Sequence, residues 1–171
     1  MANVDNPHGF IHLKSLGGGD GVVREYIKAA GDGTRLGIGD PVTFTGAVDT
    51  VEQYDQDDAV LGVTLNFGAG TTLTNQSVVL AFEDTLFEVQ EDVNMGTAAE
   101  GAGADTVTAL AANTTTGQSK FEISSTTVAA SALDLHLYQV APYIDNDGTA
   151  TNARWFVLFN DRQYANAIAG I

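Results

Sequence analysis

The sequence predicts an all-β fold, an antiparallel barrel or sandwich with an extended N-terminal arm and little helix. Three observations carry this reading. Short runs alternate apolar residues with small or hydroxylated ones, which is the period of a half-buried strand. Glycine is abundant, at 19 of 171 residues, and punctuates these runs with turns. Threonine is abundant as well, which with short apolar runs suits strands joined by many turns. At this length one domain is expected, and an apolar content of 44% suffices for a packed core. We divide the chain into an arm with a Gly-rich hinge over residues 1–21 and a β-rich body over 22–171.

The arm has sparse and irregular apolar residues, and Pro7 and the run Gly17-Gly18-Gly19-Asp20-Gly21 break regular structure. Its Phe10, Ile11, Leu13 and Leu16 are anchors that a solvated tail would not need. With Pro7 they form the candidate docking segment, whose backbone would have to be satisfied by a partner, for example by strand addition at a sheet edge. Val22–Ala30 fits helix or strand, and periodicity alone slightly favours helix. Its β-branched and aromatic content and its Gly-rich flanks favour strand.

Leu36–Val48 is the strongest strand signal. Gly39-Asp40-Pro41 is turn chemistry, and Val42, Phe44 and Val48 then alternate with Thr43, Thr45 and Ala47. Leu61, Val63, Leu65 and Phe67 repeat the pattern and predict a neighbouring antiparallel strand. Between them Asp49–Asp58 reads as an acidic loop. Strands follow at Val78–Phe82 and Leu86–Gln90. Glu91–Gly103 reads as a loop, and Ala104–Ala112 as a short helix or an irregular connection. Phe121–Thr127 and Leu133–Tyr138 read as strands, with Tyr143–Asn152 a turn region between the latter and Arg154–Asn160. In that last run Trp155, Val157 and Phe159 share one face and Phe156 and Leu158 the other. A strand apolar on both sides is central in the fold or packed on a neighbouring subunit. These five residues are the candidate core or subunit interface. The tail from Gln163 to Ile171 is small and uncharged.

Charge excludes several partners. The net charge is −15, and residues 36–119 hold thirteen acids and no Lys or Arg. Nucleic acid and anionic membrane would be repelled, and no apolar run is long enough for a spanning helix. The first ten residues lack the basic and apolar regions of a signal peptide. With no cysteine, disulfides and thiolate metal sites are excluded.

Few residue patterns point to chemistry. Asp55, Asp57 and Asp58, and separately Asp145-Asn146-Asp147-Gly148, have calcium-type oxygen ligands, but neither has the spacing of an EF loop. Clustered Asp and Asn of this kind read as Asx turns. Glu83 with Glu88, or Glu91 with Asp92, has the residue types of a glycosidase pair but reads as solvent-facing positions. His8, His12 and His136 are far apart in sequence. Arg154 beside Trp155 could form a cation–π pair. No phosphate-binding Gly-rich loop and no nucleophile elbow occur. No catalytic residue, metal or cofactor is expected.

The order of motifs carries a resemblance. NPHGFIHLKSL is followed by a Gly-rich break, then GDPVTFTG, VLGVTLNF, LFEVQED, TGQSKFEI, LDLHLYQVAPYIDND and ARWFVLFN. Taken over nearly the whole chain, this resembles the capsid cement, or head decoration, proteins of tailed bacteriophages. The resemblance implies a β-rich body, contacts from the arm to the major capsid protein, oligomers that are often trimers, and a place on the capsid exterior of the virion. It implies no catalytic residues. A virion or cell-surface β-domain that binds a glycan or receptor, with or without calcium, is the alternative reading.

Overall fold

A computed structural model describes residues 3–29, 34–47, 49–56, 58–70, 73–107 and 111–164. Ala30, Val48, Asp57, the centre of the Ala104–Ala112 connection and the tail beyond Tyr164 lie outside the described residues. Ten strands are formed: β1 (Ile11–Ser15), β2 (Val23–Lys28), β3 (Pro41–Phe44), β4 (Thr50–Gln53), β5 (Gly62–Thr64), β6 (Asn75–Leu80), β7 (Thr85–Gln90), β8 (Gly103–Ala104), β9 (Leu135–Val140) and β10 (Arg154–Phe159). Among the described residues the helical content is a single 3₁₀ turn, Thr97–Ala99.

The strands form two modules. β2-β4-β3-β5-β6 close into a barrel, and β1-β7-β10-β9-β8 form a five-stranded antiparallel sheet. In the barrel β3 pairs with β5, as the matched patterns of Leu36–Val48 and Leu61–Phe67 predict, but over shorter spans. One barrel pair is parallel, Ile27 with Thr50 and Lys28 with Val51. Five strands require this. An alternating up-and-down order cannot close on itself when the number is odd, so at least one neighbouring pair must run the same way.

β6 shows how the modules join. Val78 and Leu80 point into the barrel with Tyr26, Leu36, Val42, Val51 and Leu61. Val79 and Ala81 point out, into the core shared with Phe87, Leu135, Trp155, Val157 and Phe159. The barrel wall is therefore also the floor of the sheet's core. At about 25 cal/mol per Å² of apolar surface, this double burial is the main stabilising term. β10 lies between β7 and β9, so its two apolar faces reflect a central position.

Three expectations are corrected. Thr50–Gln53 is a strand rather than part of the acidic loop, because Val51 is an inward barrel residue with no exposure. Phe121–Thr127 is not a strand; Ile123 makes only single bridges, to Glu91 and Thr106. The arm is not a separate unit. Its Ile11–Ser15 segment is an edge strand paired with β7 in the register Ile11 to Glu88 and Ser15 to Thr85. The Gly17–Gly21 break is a closed turn, with the Gly18 amide donating to the Ser15 carbonyl at 3.0 Å. Pairing with β7 satisfies the backbone within the chain, as the sparse apolar residues alone could not.

Candidate interaction surface

Residues 3–10 run along the body and are fixed by amide side chains. Asn3 donates to the carbonyls of Asp147 and Thr151, and its own oxygen accepts the Asp147 amide. Gln90 donates to the Val4 carbonyl at 2.7 Å and accepts the Asn6 amide at 3.0 Å. The segment then crosses the Gly37–Asp40 turn. Gly9 and Gly39 both have positive φ, and a Cβ on Gly39 would come within 2.6 Å of the His8 carbonyl. Only glycine fits this crossing.

Of the predicted docking residues, Phe10 is a core side chain, 1% exposed, between Phe87 and Phe159. It cannot also serve a partner. Pro7 and Leu13 are half-buried, while Ile11 and Leu16 are exposed at 45% and 42%. Val4 and Val22 are exposed with them. Trp155, Val157 and Phe159 are fully buried, which assigns them to the core. Phe156 and Leu158 are half-buried on the opposite face, with Phe156 edge-on to Tyr143.

Beside β1 a groove of about 430 Å³ opens toward the outer face of the barrel. Leu13, Val23, Ile38 and Leu65 line it, and the last three are large apolar residues that remain well exposed. Asp20 and His12 also face it. The His12 ring packs edge-on to Phe87 and has its pKa lowered by burial, partly offset by the Asp20 charge.

A second surface feature is the 141–154 loop. Asn146 clasps it, donating to the carbonyls of Ala141 and Arg154 and accepting the Arg154 amide. Tyr143 donates to Glu88 at 2.7 Å, which raises the tyrosine pKa to about 12, and His8 lies 3.9 Å from the same carboxylate. Arg154 sits over the Tyr143 ring, not Trp155, and pairs with Asp145 at 2.6 Å. The calcium-type residues are thus used internally: Asp145 by Arg154, and Asp147 by the Thr149 amide and hydroxyl. Among the described residues, no three His, Asp or Glu side chains converge as metal ligands.

Of the acids read as solvent-facing, Glu88 and Glu91 are buried. Glu91 has no exposure and accepts hydrogen bonds from the Trp155 indole at 2.8 Å, the Met95 amide and the Ala153 amide. Burial raises its pKa despite these donors. Asp40 is equally buried, accepts the Gly37 amide at 2.7 Å and Gln53 at 3.0 Å, and is pushed up to about 6 by desolvation. Glu122 is raised to about 7 by desolvation and by the charges of Asp5 and Asp92. The only sequence signal for these roles is an acid within or beside an apolar run.

No protein-family model, curated protein or solved structure matches this chain.

Proposed function

We propose that this chain is a structural virion protein, a cement or decoration protein that binds the outer surface of a major capsid shell and stabilises it. The observation that carries the reading is the outer line of the N-terminal segment. Val4, Ile11, Leu16 and Val22 are all exposed on this segment, and Ile11 lies on β1, the edge strand of a sheet that is firmly held by the body. Edge strands with exposed apolar side chains are templates for another chain. Here the edge is preorganised, so little ordering entropy opposes docking. Many copies on one shell convert a modest contact into firm attachment. The charge of −15 suits an exterior position, away from packaged nucleic acid. The protein acts by contact area, with no catalysis and no cofactor, and its copies associate, a trimer being the expected unit.

Co-sedimentation with assembled shells tests the proposal. The native chain should pellet with shells and raise their disruption temperature. Leu16→Asp and Val4→Asp, both at exposed positions, should weaken decoration by about tenfold or more while leaving the melting of the free protein unchanged. A chain that neither pellets with shells nor protects them overturns the reading.

A further inference from the structure

A cavity of about 290 Å³ lies between the N-terminal segment, the end of β7, the start of β10 and the 141–154 loop. Its walls are polar: of the eight residues that line it, Val4 is the one apolar side chain. The walls are also held from behind. Asn3 and Gln90 are spent on fixing the N-terminal segment. Arg154 rests on the Tyr143 ring at 4.6 Å and pairs with Asp145. A preformed pocket gives up little freedom when a ligand enters.

The hydrogen-bonding groups left over are mixed in kind. Among the described residues, the side-chain amides of Asn6 and Asn152 make no hydrogen bond within the chain. Each offers donors and an acceptor. Arg154 uses one nitrogen, Nη2, on one Asp145 oxygen, which leaves further guanidinium donors and the second carboxylate oxygen. With Nδ1 of His8 donating to the Gly9 carbonyl, Nε2 of the neutral ring is an acceptor. Asn152 has a φ of 62°, a left-handed backbone that asparagine or glycine takes readily. Glycine alone would satisfy the backbone there; asparagine adds an amide to the cavity.

Charge narrows the ligand. The Arg154–Asp145 pair leaves the lining close to neutral, while the whole chain carries −15. An anion would have to displace Asp145 from Arg154 against that field, and a cation would meet Arg154. An apolar ligand would strip water from the amides and give them no partner. A neutral, hydroxyl-rich ligand meets every condition. Each hydroxyl both donates and accepts, and Val4, 76% exposed, offers an apolar contact to ring carbons. The volume is at the low end for ligand pockets, room for one sugar ring rather than a long chain.

We propose that this cavity binds a neutral saccharide through Asn6, His8, Asp145, Asn152 and Arg154. The site belongs to the free protein and needs no shell, so its failure and the failure of the capsid reading are separate results.

Titration of the native chain with glucose, galactose, mannose and N-acetylglucosamine, followed by amide NMR, tests the proposal. At least one sugar should give saturable shifts in the millimolar range, confined to Asn6, His8, Asn152, Arg154 and their neighbours. Asn152→Gly keeps the left-handed backbone and removes the amide. Asn6→Ala removes the other amide from an exposed position. Each should weaken binding by about fivefold, the effect of one hydrogen bond, with nearly unchanged melting. The proposal is overturned if none of these sugars gives saturable shifts, if the shifts fall elsewhere, or if both variants bind as tightly as the native chain. It is equally overturned if acetate or phosphate shifts the same residues at lower concentration than any sugar, which would make the cavity an anion site. Sugar binding by a chain that does not decorate shells would uphold this site and sink the capsid reading alone.

Discussion

Phe10 stacks on Phe159 with ring centroids 4.8 Å apart, which locks the start of the chain to its last strand. Phe10→Ala should cost about 3–5 kcal/mol, the range for emptying a buried aromatic site. For a domain of this size that lowers the melting temperature by roughly 10 °C. Deleting residues 2–16 removes both Phe10 and β1, so the remainder should lose cooperative melting. A truncated chain that melts like the native protein would show that the segment is dispensable.

Asp40 gives the fold a pH dependence. The folded chain holds this proton more tightly than the unfolded chain, its pKa being raised to about 6. Asp40 therefore supports the fold below the ordinary carboxylate value, and that support is lost as the pH rises through about 6. The size is at most about 3 kcal/mol. Asp40→Asn keeps an acceptor for the Gly37 amide and cannot ionise. Its melting temperature should change less than the native one between pH 4 and 7, measured by calorimetry. His12 acts in the opposite sense, because its lowered pKa makes it destabilising once the pH falls low enough to protonate it.

Glu122 should control a separate, higher window. Its pKa is raised to about 7, with Asp5 of the N-terminal segment among the causes. Glu122→Gln should raise the melting temperature at pH 8 and leave it nearly unchanged at pH 5. Asp5→Asn should act in the same direction, and the two changes together should give less than the sum of their effects, since they relieve one repulsion. Full additivity would place Asp5 away from Glu122.

Glu91 and Trp155 allow a direct readout, because the chain has a single tryptophan. Glu91→Ala leaves the indole N–H and the Met95 and Ala153 amides without their acceptor. The loss should be about 3–5 kcal/mol, as for breaking a buried polar cluster from one side. Glu91→Gln keeps an acceptor oxygen and should cost less. Fluorescence unfolding curves monitored at Trp155 would rank the two, and equal costs would contradict the hydrogen-bond account.

What could be read from the sequence was what local alternation encodes. The Val42–Phe44 and Leu86–Gln90 strands, the two-faced strand at Trp155–Phe159 and the turn around Asp145 are all visible as patterns of period two or as turn residues. β4 was hidden because Glu52 and Gln53 half-face solvent and sit among acids, leaving only Val51 to mark it. The fate of the N-terminal segment was hidden for a different reason. Phe10 reads as an anchor, but no local pattern says whether its receptor is another protein or Phe87 and Phe159. The buried acids went unread because an acid's partners, here the Trp155 indole or the Gly37 amide, lie far from it or in a turn whose geometry the sequence leaves open.

β1 and β2 are neighbours in sequence but belong to different modules, and this governs the order in which the chain can assemble. Ser15 pairs with Thr85, and Val23 with Val79. During synthesis β1 must therefore wait for β7, and β2 for β6, until long stretches of chain have been delivered, with only the short parallel pairing to β4 open to β2 earlier. Two long loops must then close almost together, since β6 and β7 are joined by a short turn. Such non-local pairing makes folding slow. It also leaves the apolar edge of β1 without its β7 partner during that interval, the period in which a nascent chain would be most prone to pair with the wrong strand.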